Sequence, residues 1–169
     1  MDCIIRPWRP GDAADLASAL NNRKVLDNLR DGLPFPYTAA DAADYISAML
    51  AADRNAVFPW AIDVAGTAVG SIGVFRRENI HFRTAELGYY LAEPYWGRGL
   101  MTAAVRQTVR AIFTDTDILR IFAEPFAHNI GSCRVLEKAG FQMEGVLRAN
   151  AVKNGRILDM KLYALVRDA

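Results

Sequence analysis

Residues 93–105 read EPYWGRGLMTAAV. Gly97 and Gly99 stand between an aromatic pair, Tyr95 and Trp96, and the start of a long helical pattern. Glycine in a helix interior costs about 1 kcal/mol relative to alanine. Two glycines at a helix start therefore mark either a plain turn or a point where an anion must approach bare backbone. The first turn of a helix leaves its N–H groups free, and the dipole adds positive potential there, so phosphate binds well. The GxxxxGK[ST] pattern of ATP-binding loops is absent, and a GxGxxG turn needs a third glycine where Thr102 stands. The residue types leave both readings open.

Working outward, TAELGYYLA (84–92) reads as the strand that delivers the chain to this turn. Beyond it the spacing predicts a helix from about Gly97 to Phe113, with Met101, Ala104, Val105, Thr108 and Ile112 on one face and Arg106 and Arg110 on another. ILRIFAEPF (118–126) reads as a strand. NIGSCRVLEKAG (129–140) reads as a short helix capped by Asn129 and closed by Gly140. FQMEGVLRAN and ILDMKLYALV are two strands around the turn KNGR. On the N-terminal side, VFPWAIDV and AVGSIGVF form a hairpin around AGT. Asp12 with Asp15, and Thr38 with Asp41, are helix-start signals. After Thr38, Ala42, Tyr45, Ile46 and Met49 share a helical face, and the stiff loop DGLPFPY (31–37) precedes it. The order is a strand, two or three helices, three strands, helix, strand, helix, two strands, which predicts a mixed α/β domain around one sheet.

Composition narrows the function classes. The chain has 169 residues, the size of a single domain (1–169), with 52% hydrophobic and 23% charged residues. The net charge of +1 gives no field that points to nucleic acid or a membrane surface. Cys3 and Cys133 have neither CxxC spacing nor a histidine cluster beside them, so neither a metal site nor a disulfide is expected. No apolar run approaches a membrane span, and MDCIIRPWRP lacks the pattern of a secretory signal. The expected location is cytoplasmic.

TAELGYYLAEPYWGRGLMTAAV followed by AHNIGSCRVLEKAGF resembles the acetyl-CoA core of the GNAT superfamily of N-acetyltransferases. The branch it resembles most is that of the ribosomal-protein N-terminal acetyltransferases (RimJ/RimL-like). IIRPWRPGDAADL, LPFPYT and DMKLYALV are similar in type and position. The resemblance implies the GNAT fold: a mixed central sheet, helices on both faces, and splayed strands forming an acetyl-CoA cleft. It implies that the pyrophosphate sits on the backbone of Trp96, Gly97, Arg98, Gly99, Leu100, Met101 and Thr102. Trp96 and Met101 depart from the usual Gln/Arg-x-x-Gly-x-Gly/Ala pattern, although backbone does the binding. The pantetheine arm is expected to pair with Tyr89 to Leu91, and Asn129 to hydrogen-bond the cofactor or cap its helix.

The same resemblance implies that a neutral amine attacks the thioester directly. A model α-amine titrates near 7.8 and lysine near 10.4, so deprotonation at pH 7 costs about 1 and about 4.6 kcal/mol respectively. Glu86, in AEL on the strand before the loop, is the first candidate base; its other reading is a carboxylate paired with an arginine such as Arg83 or Arg148. Glu124, five residues before Asn129, is the second, and Pro125 beside it also reads as a strand end. A base on the strand after GF would fall on Ala151, so that route is closed. The tyrosine acid of many superfamily members would fall on Leu136. Ser132 is the candidate acid, three residues after Asn129 and on the same helix face. Cys133 points elsewhere and reads as core, and His81 and His128 read as surface histidines. A backbone N–H near Leu91 is the expected oxyanion donor. The leading function is acetyl transfer from acetyl-CoA to a primary amine, with a protein N-terminus as acceptor. A small amine as acceptor and a CoA-binding module without catalysis remain alternatives. No metal is implied, and a homodimer is compatible with the sequence.

Overall fold

In the computed structural model, which describes residues 1–168, the β-branched runs 57–64 and 67–76 form a hairpin of β2 (Val57–Val64) and β3 (Thr67–Arg76). Ala65 and Gly66 join them with φ of 52° and 89°, the left-handed geometry that matches strand twist in a two-residue turn. β1 (Ile4–Arg6) lies antiparallel to β2, and β4 (Thr84–Leu91) lies antiparallel to β3. β5 (Arg120–Ala123) runs parallel to β4 and antiparallel to β7 (Arg156–Val166), which pairs with β6 (Gln142–Lys153). The seven-stranded sheet has the order β1-β2-β3-β4-β5-β7-β6. It is a mixed sheet, as expected.

Helices cover both faces. α1 (Ala13–Leu20), α2 (Arg23–Leu26) and α3 (Ala39–Ala51) close a core of Trp8, Leu16, Leu20, Ala42 and Ile46 on one side. α4 (Leu100–Asp115) and α5 (Ile130–Lys138) close the other, around Ile72, Ala104, Val105, Ile112, Leu136 and Tyr163. The predicted apolar faces are the buried ones. Met101, Ala104, Val105, Thr108 and Ile112 are all buried on α4, and Ala42 and Ile46 on α3, with Tyr45 and Met49 packed at its margin. Thr38 and Asp41 form a reciprocal capping box: the Asp41 carboxylate accepts the Thr38 N–H at 2.8 Å, and the Thr38 hydroxyl accepts the Asp41 N–H at 3.2 Å.

Three local expectations are corrected. α4 begins at Leu100 and not at Gly97, because Gly97 and Gly99 both take positive φ and cannot lie in a right-handed helix. ILRIFAEPF is a strand only over Arg120–Ala123; Pro125 lacks a donor N–H, and Phe126 makes a single bridge to Met160. Asp12 is not a side-chain cap of α1. Its carboxylate is buried against Arg6, with contacts of 2.7 and 2.9 Å, while Asp63 takes the Arg6 Nε–H at 2.7 Å.

That buried cluster ties β1 to β2 and to the turn before α1. Hydrogen bonds from Arg6 hold the Asp12 carboxyl below its ordinary range. A carboxyl lowered by folding stabilises the fold above its unfolded value, and the contribution is lost as pH falls through the folded value. Asp12→Asn should therefore destabilise by about 3 kcal/mol at pH 7 in urea unfolding. The difference from wild type should begin to shrink below about pH 4, where the unfolded carboxyl takes up its proton, and be lost at the lower pH at which the native carboxyl protonates as well. A pH-independent difference would place the effect in packing instead.

The site is made where the sheet opens. β4 and β5 pair only over Thr84↔Arg120, Ala85↔Ile121 and Glu86↔Phe122. β4 then continues to Leu91 while β5 ends and the chain turns away through Pro125.

Candidate active site

The opening between Leu87–Leu91 and Ala123–Phe126 is the mouth of a cavity of about 1170 Å³. The direction in which each backbone group of β4 points follows from register. Ala92 N–H donates to Val69 O at 2.8 Å, and Arg77 N–H donates to Thr84 O at 2.8 Å. In an antiparallel pair the bonded residues alternate, and the β3–β4 register carries no bulge. The even-numbered residues of β4 therefore bond to β3. Tyr89 and Leu91 turn their backbone groups the other way, to the edge that β5 has left. That edge is a strand template for an extended ligand. The Leu91 carbonyl is already engaged by the Trp96 indole N–H at 2.7 Å, which pins the turn that follows.

Gly97 and Gly99 are required by backbone conformation. Gly97 and Gly99 have φ of 73° and 77°, a region that costs any other residue about 1–2 kcal/mol. A Cβ at either position would meet nothing within 4 Å, so handedness and not space demands glycine. Trp96 N–H bonds Glu93 O at 3.1 Å, and Ala103 N–H bonds Gly99 O at 3.1 Å. Between them, the N–H groups from Gly97 to Thr102 have no acceptor among the described residues. Met101 places its side chain in the core, 8% exposed, which accommodates the departure from a small residue. Arg98, Arg134 and Lys138 line the same cavity, so its charge suits an anion.

Across the cavity, α5 begins. The Asn129 side-chain oxygen caps it by accepting the Ser132 N–H at 3.2 Å, which leaves its amide N–H groups without a partner among the described residues. The cap reading of Asn129 is thus realised with its donors still free. Ser132 Oγ lies 2.8 Å from the Tyr89 hydroxyl, which also reaches the Ser132 carbonyl at 3.3 Å. Burial pushes the Tyr89 hydroxyl well above its ordinary value, with the Ser132 contact acting in the opposite direction. The sequence reading assigned Tyr89 through its backbone and missed the hydroxyl. The available signal was strand alternation, which sends Leu87, Tyr89 and Leu91 to the α4–α5 face. Leu136 and Cys133 are core, at 0% and 3% exposure.

Glu86 and Tyr90 point to the opposite face. Glu86 is 15% exposed at its side chain and pairs with Arg30, with Arg77 at 3.7 Å. The arginine pairing read from sequence as the other role of Glu86 is thus present, made by Arg30 and not by Arg83 or Arg148. Arg83 bonds the Asp117 carbonyl at 2.8 Å instead. Glu124 lines the cavity on the β5 side and has no ion pair among the described residues. Glu93, beside the glycine turn, is held below the usual carboxylate range by Lys24 and Asn22, which lie 2.5 and 2.7 Å away. His128 stacks on Phe126 at 5.6 Å, and His81 lies in a short 3₁₀ turn away from the cavity. Among the described residues no cluster of metal-ligating groups occurs, and no helix is long and apolar enough to cross a membrane.

Residues 2–142 match the sequence pattern of the acetyltransferase (GNAT) domain. The chain belongs to the GNAT acetyltransferase family. This GNAT domain is 39% identical over 98 residues to the probable N-acetyltransferase YjcK of Bacillus subtilis, a match that covers 58% of this chain and 54% of that protein. It is 32% identical over 97 residues to the [ribosomal protein uS5]-alanine N-acetyltransferase of Escherichia coli, covering 56% of this chain and 50% of that one. The matched stretches thus span about half the length of these curated relatives. Among solved structures, Mycobacterium smegmatis RimJ in complex with CoA-disulfide superposes with a TM-score of 0.86 at 25% identity, over 97% of this chain and 81% of that one. In this GNAT domain, every site residue expected from sequence borders the one cavity. Glu86, Glu124, Ser132 and Asn129 line it together with residues 89–91 and 95–102.

Proposed function

We propose that this GNAT domain transfers an acetyl group from acetyl-CoA to a primary amine, with a protein N-terminal α-amine as the acceptor. The observation that carries the reading is the continuous backbone surface from the free β4 edge at Tyr89 and Leu91 to the unpartnered N–H groups of Gly97–Thr102. It offers an extended arm a strand to pair with, and a pyrophosphate a row of donors, in the order in which acetyl-CoA presents them. Hydrogen bonds to charged groups contribute about 1.5–3 kcal/mol each, so a few such donors hold a pyrophosphate firmly. The residues present fit the cofactor, with Asn129 offering its free amide from the far side. When bound, acetyl-CoA supplies the thioester carbonyl that the amine attacks.

The sheet divides the labour. Glu86 takes the proton of the amine from the α1–α3 face, directly or through one water. The Leu91 N–H, turned to the open edge, stabilises the carbonyl oxygen as it gains charge. Ser132 protonates the departing thiolate from the α5 side. The α-amine acceptor is supported by the names of relatives that acetylate ribosomal proteins. It is also favoured by the modest cost of deprotonating an α-amine, and it carries a cytoplasmic location with it. Thiol release from acetyl-CoA with a panel of peptides and small amines tests the reading. Peptides with free N-termini should turn over, and their N-terminally blocked forms should not. Turnover confined to polyamines or amino acids would reassign the acceptor, and CoA binding without thiol release would make the domain a binding module.

A further inference from the structure

The Tyr89 hydroxyl has one proton and two acceptors within reach, Ser132 Oγ at 2.8 Å and the Ser132 carbonyl at 3.3 Å. Its ring packs against the α4–α5 core, so the phenol oxygen is held in place. Ser132 itself is a one-bond rotor with three staggered positions for its hydroxyl. The Asn129 side-chain oxygen accepts the Ser132 backbone N–H at 3.2 Å. Among the described residues, the Tyr89 hydroxyl is the one side-chain group in hydrogen-bond contact with Ser132 Oγ. We infer that Tyr89 is a positioning residue for Ser132, donating its hydroxyl proton to Oγ so that the serine presents its own proton to the sulfur. The inference rests on the acetyl-transfer reading above.

The step balances. As the carbon–nitrogen bond forms and the carbon–sulfur bond breaks, Ser132 Oγ gives its proton to the sulfur, which keeps the bonding pair. The proton lost by the amine returns to Ser132 through solvent. While Oγ is short of its proton, the Tyr89 hydroxyl is the donor that stabilises the charge, and a donor placed where charge develops acts chiefly on the transition state. The elevated proton affinity of Tyr89 keeps that donor protonated at every working pH. Phenylalanine at position 89 keeps the ring and removes only this donor.

Steady-state kinetics of wild type, Tyr89→Phe, Ser132→Ala and the double variant test the assignment. Tyr89→Phe should lower kcat about tenfold, the ~1.4 kcal/mol of one such hydrogen bond, with KM for acetyl-CoA within about twofold and an unchanged thermal midpoint. The double variant should match Ser132→Ala alone, because without Oγ the phenol has nothing to orient. A merely structural hydroxyl would move Tm and KM together, and its effect would multiply with that of Ser132→Ala. An unchanged kcat, a multiplicative double variant, or a loss confined to KM overturns the inference. Wild-type protein that releases no thiol with any amine overturns the acetyl-transfer reading and this one with it; an active wild type with an unaffected Tyr89→Phe overturns this one alone.

Discussion

Glu86→Gln should lower kcat/KM for a peptide α-amine by about 10²–10⁴, the usual range for loss of a general base. Glutamine keeps the shape of the side chain and can still accept from Arg30, so the substitution removes chiefly the proton acceptor. The two arginines left without their carboxylate are 68% and 55% exposed at their side chains, so little stability is lost with them. The defect should be smaller for an α-amine than for a lysine acceptor, because deprotonating the two at pH 7 differs by about 3.5 kcal/mol. It should also shrink as pH rises toward 9, where the α-amine is already neutral. Profiles of kcat/KM against pH for wild type, Glu86→Gln and Glu124→Gln separate the candidates. A Glu86→Gln profile that overlays wild type, with Glu124→Gln depressed at low pH, moves the base to the β5 side of the cavity. Two unchanged profiles would leave proton removal to solvent.

Gly99→Pro should abolish stabilisation by CoA. Proline removes one of the free N–H groups of the turn, and its φ near −65° cannot reach the 77° that Gly99 adopts. A ligand at 1,000 times its Kd stabilises by about 4.1 kcal/mol. For a chain of this length that is a rise in Tm of roughly 8–16 °C. Wild type should show the rise and Gly99→Pro should not. Gly99→Ala is the companion variant, since it keeps the N–H and adds only the left-handed strain of about 1–2 kcal/mol. It should fold with a lower Tm and still respond to CoA. An equal shift in wild type and Gly99→Pro would place the anion elsewhere.

The order of strands and helices, the buried faces of α3 and α4, and the capping box at Thr38 and Asp41 were readable because each depends on residues within about one turn of one another. The glycine turn before α4 is readable as a turn, although the spacing starts its helix three residues too early. Positive φ is a property of backbone geometry that residue type only permits. The pairing of Asn129 with Ser132 followed from helical spacing for the same local reason.

Residue types and their spacing were enough for the elements, their order, and the glycine turn that follows a strand. Those outcomes come from short-range sterics, hydrogen bonding and periodicity. Which chemical groups meet depends on contacts far apart in the chain. Glu86 takes Arg30, 56 positions away, and not Arg83. Tyr89 finds Ser132 at a separation of 43, and Asn22 finds Glu93 at 71. Arg6 joins Asp12 to Asp63 and removes Asp12 from the capping role that its neighbours suggested. The reason is physical. A strand's alternation states that a side chain faces one side or the other, but the register of β4 on β3, the early divergence of β5 and the packing of α2 and α5 set what stands opposite it.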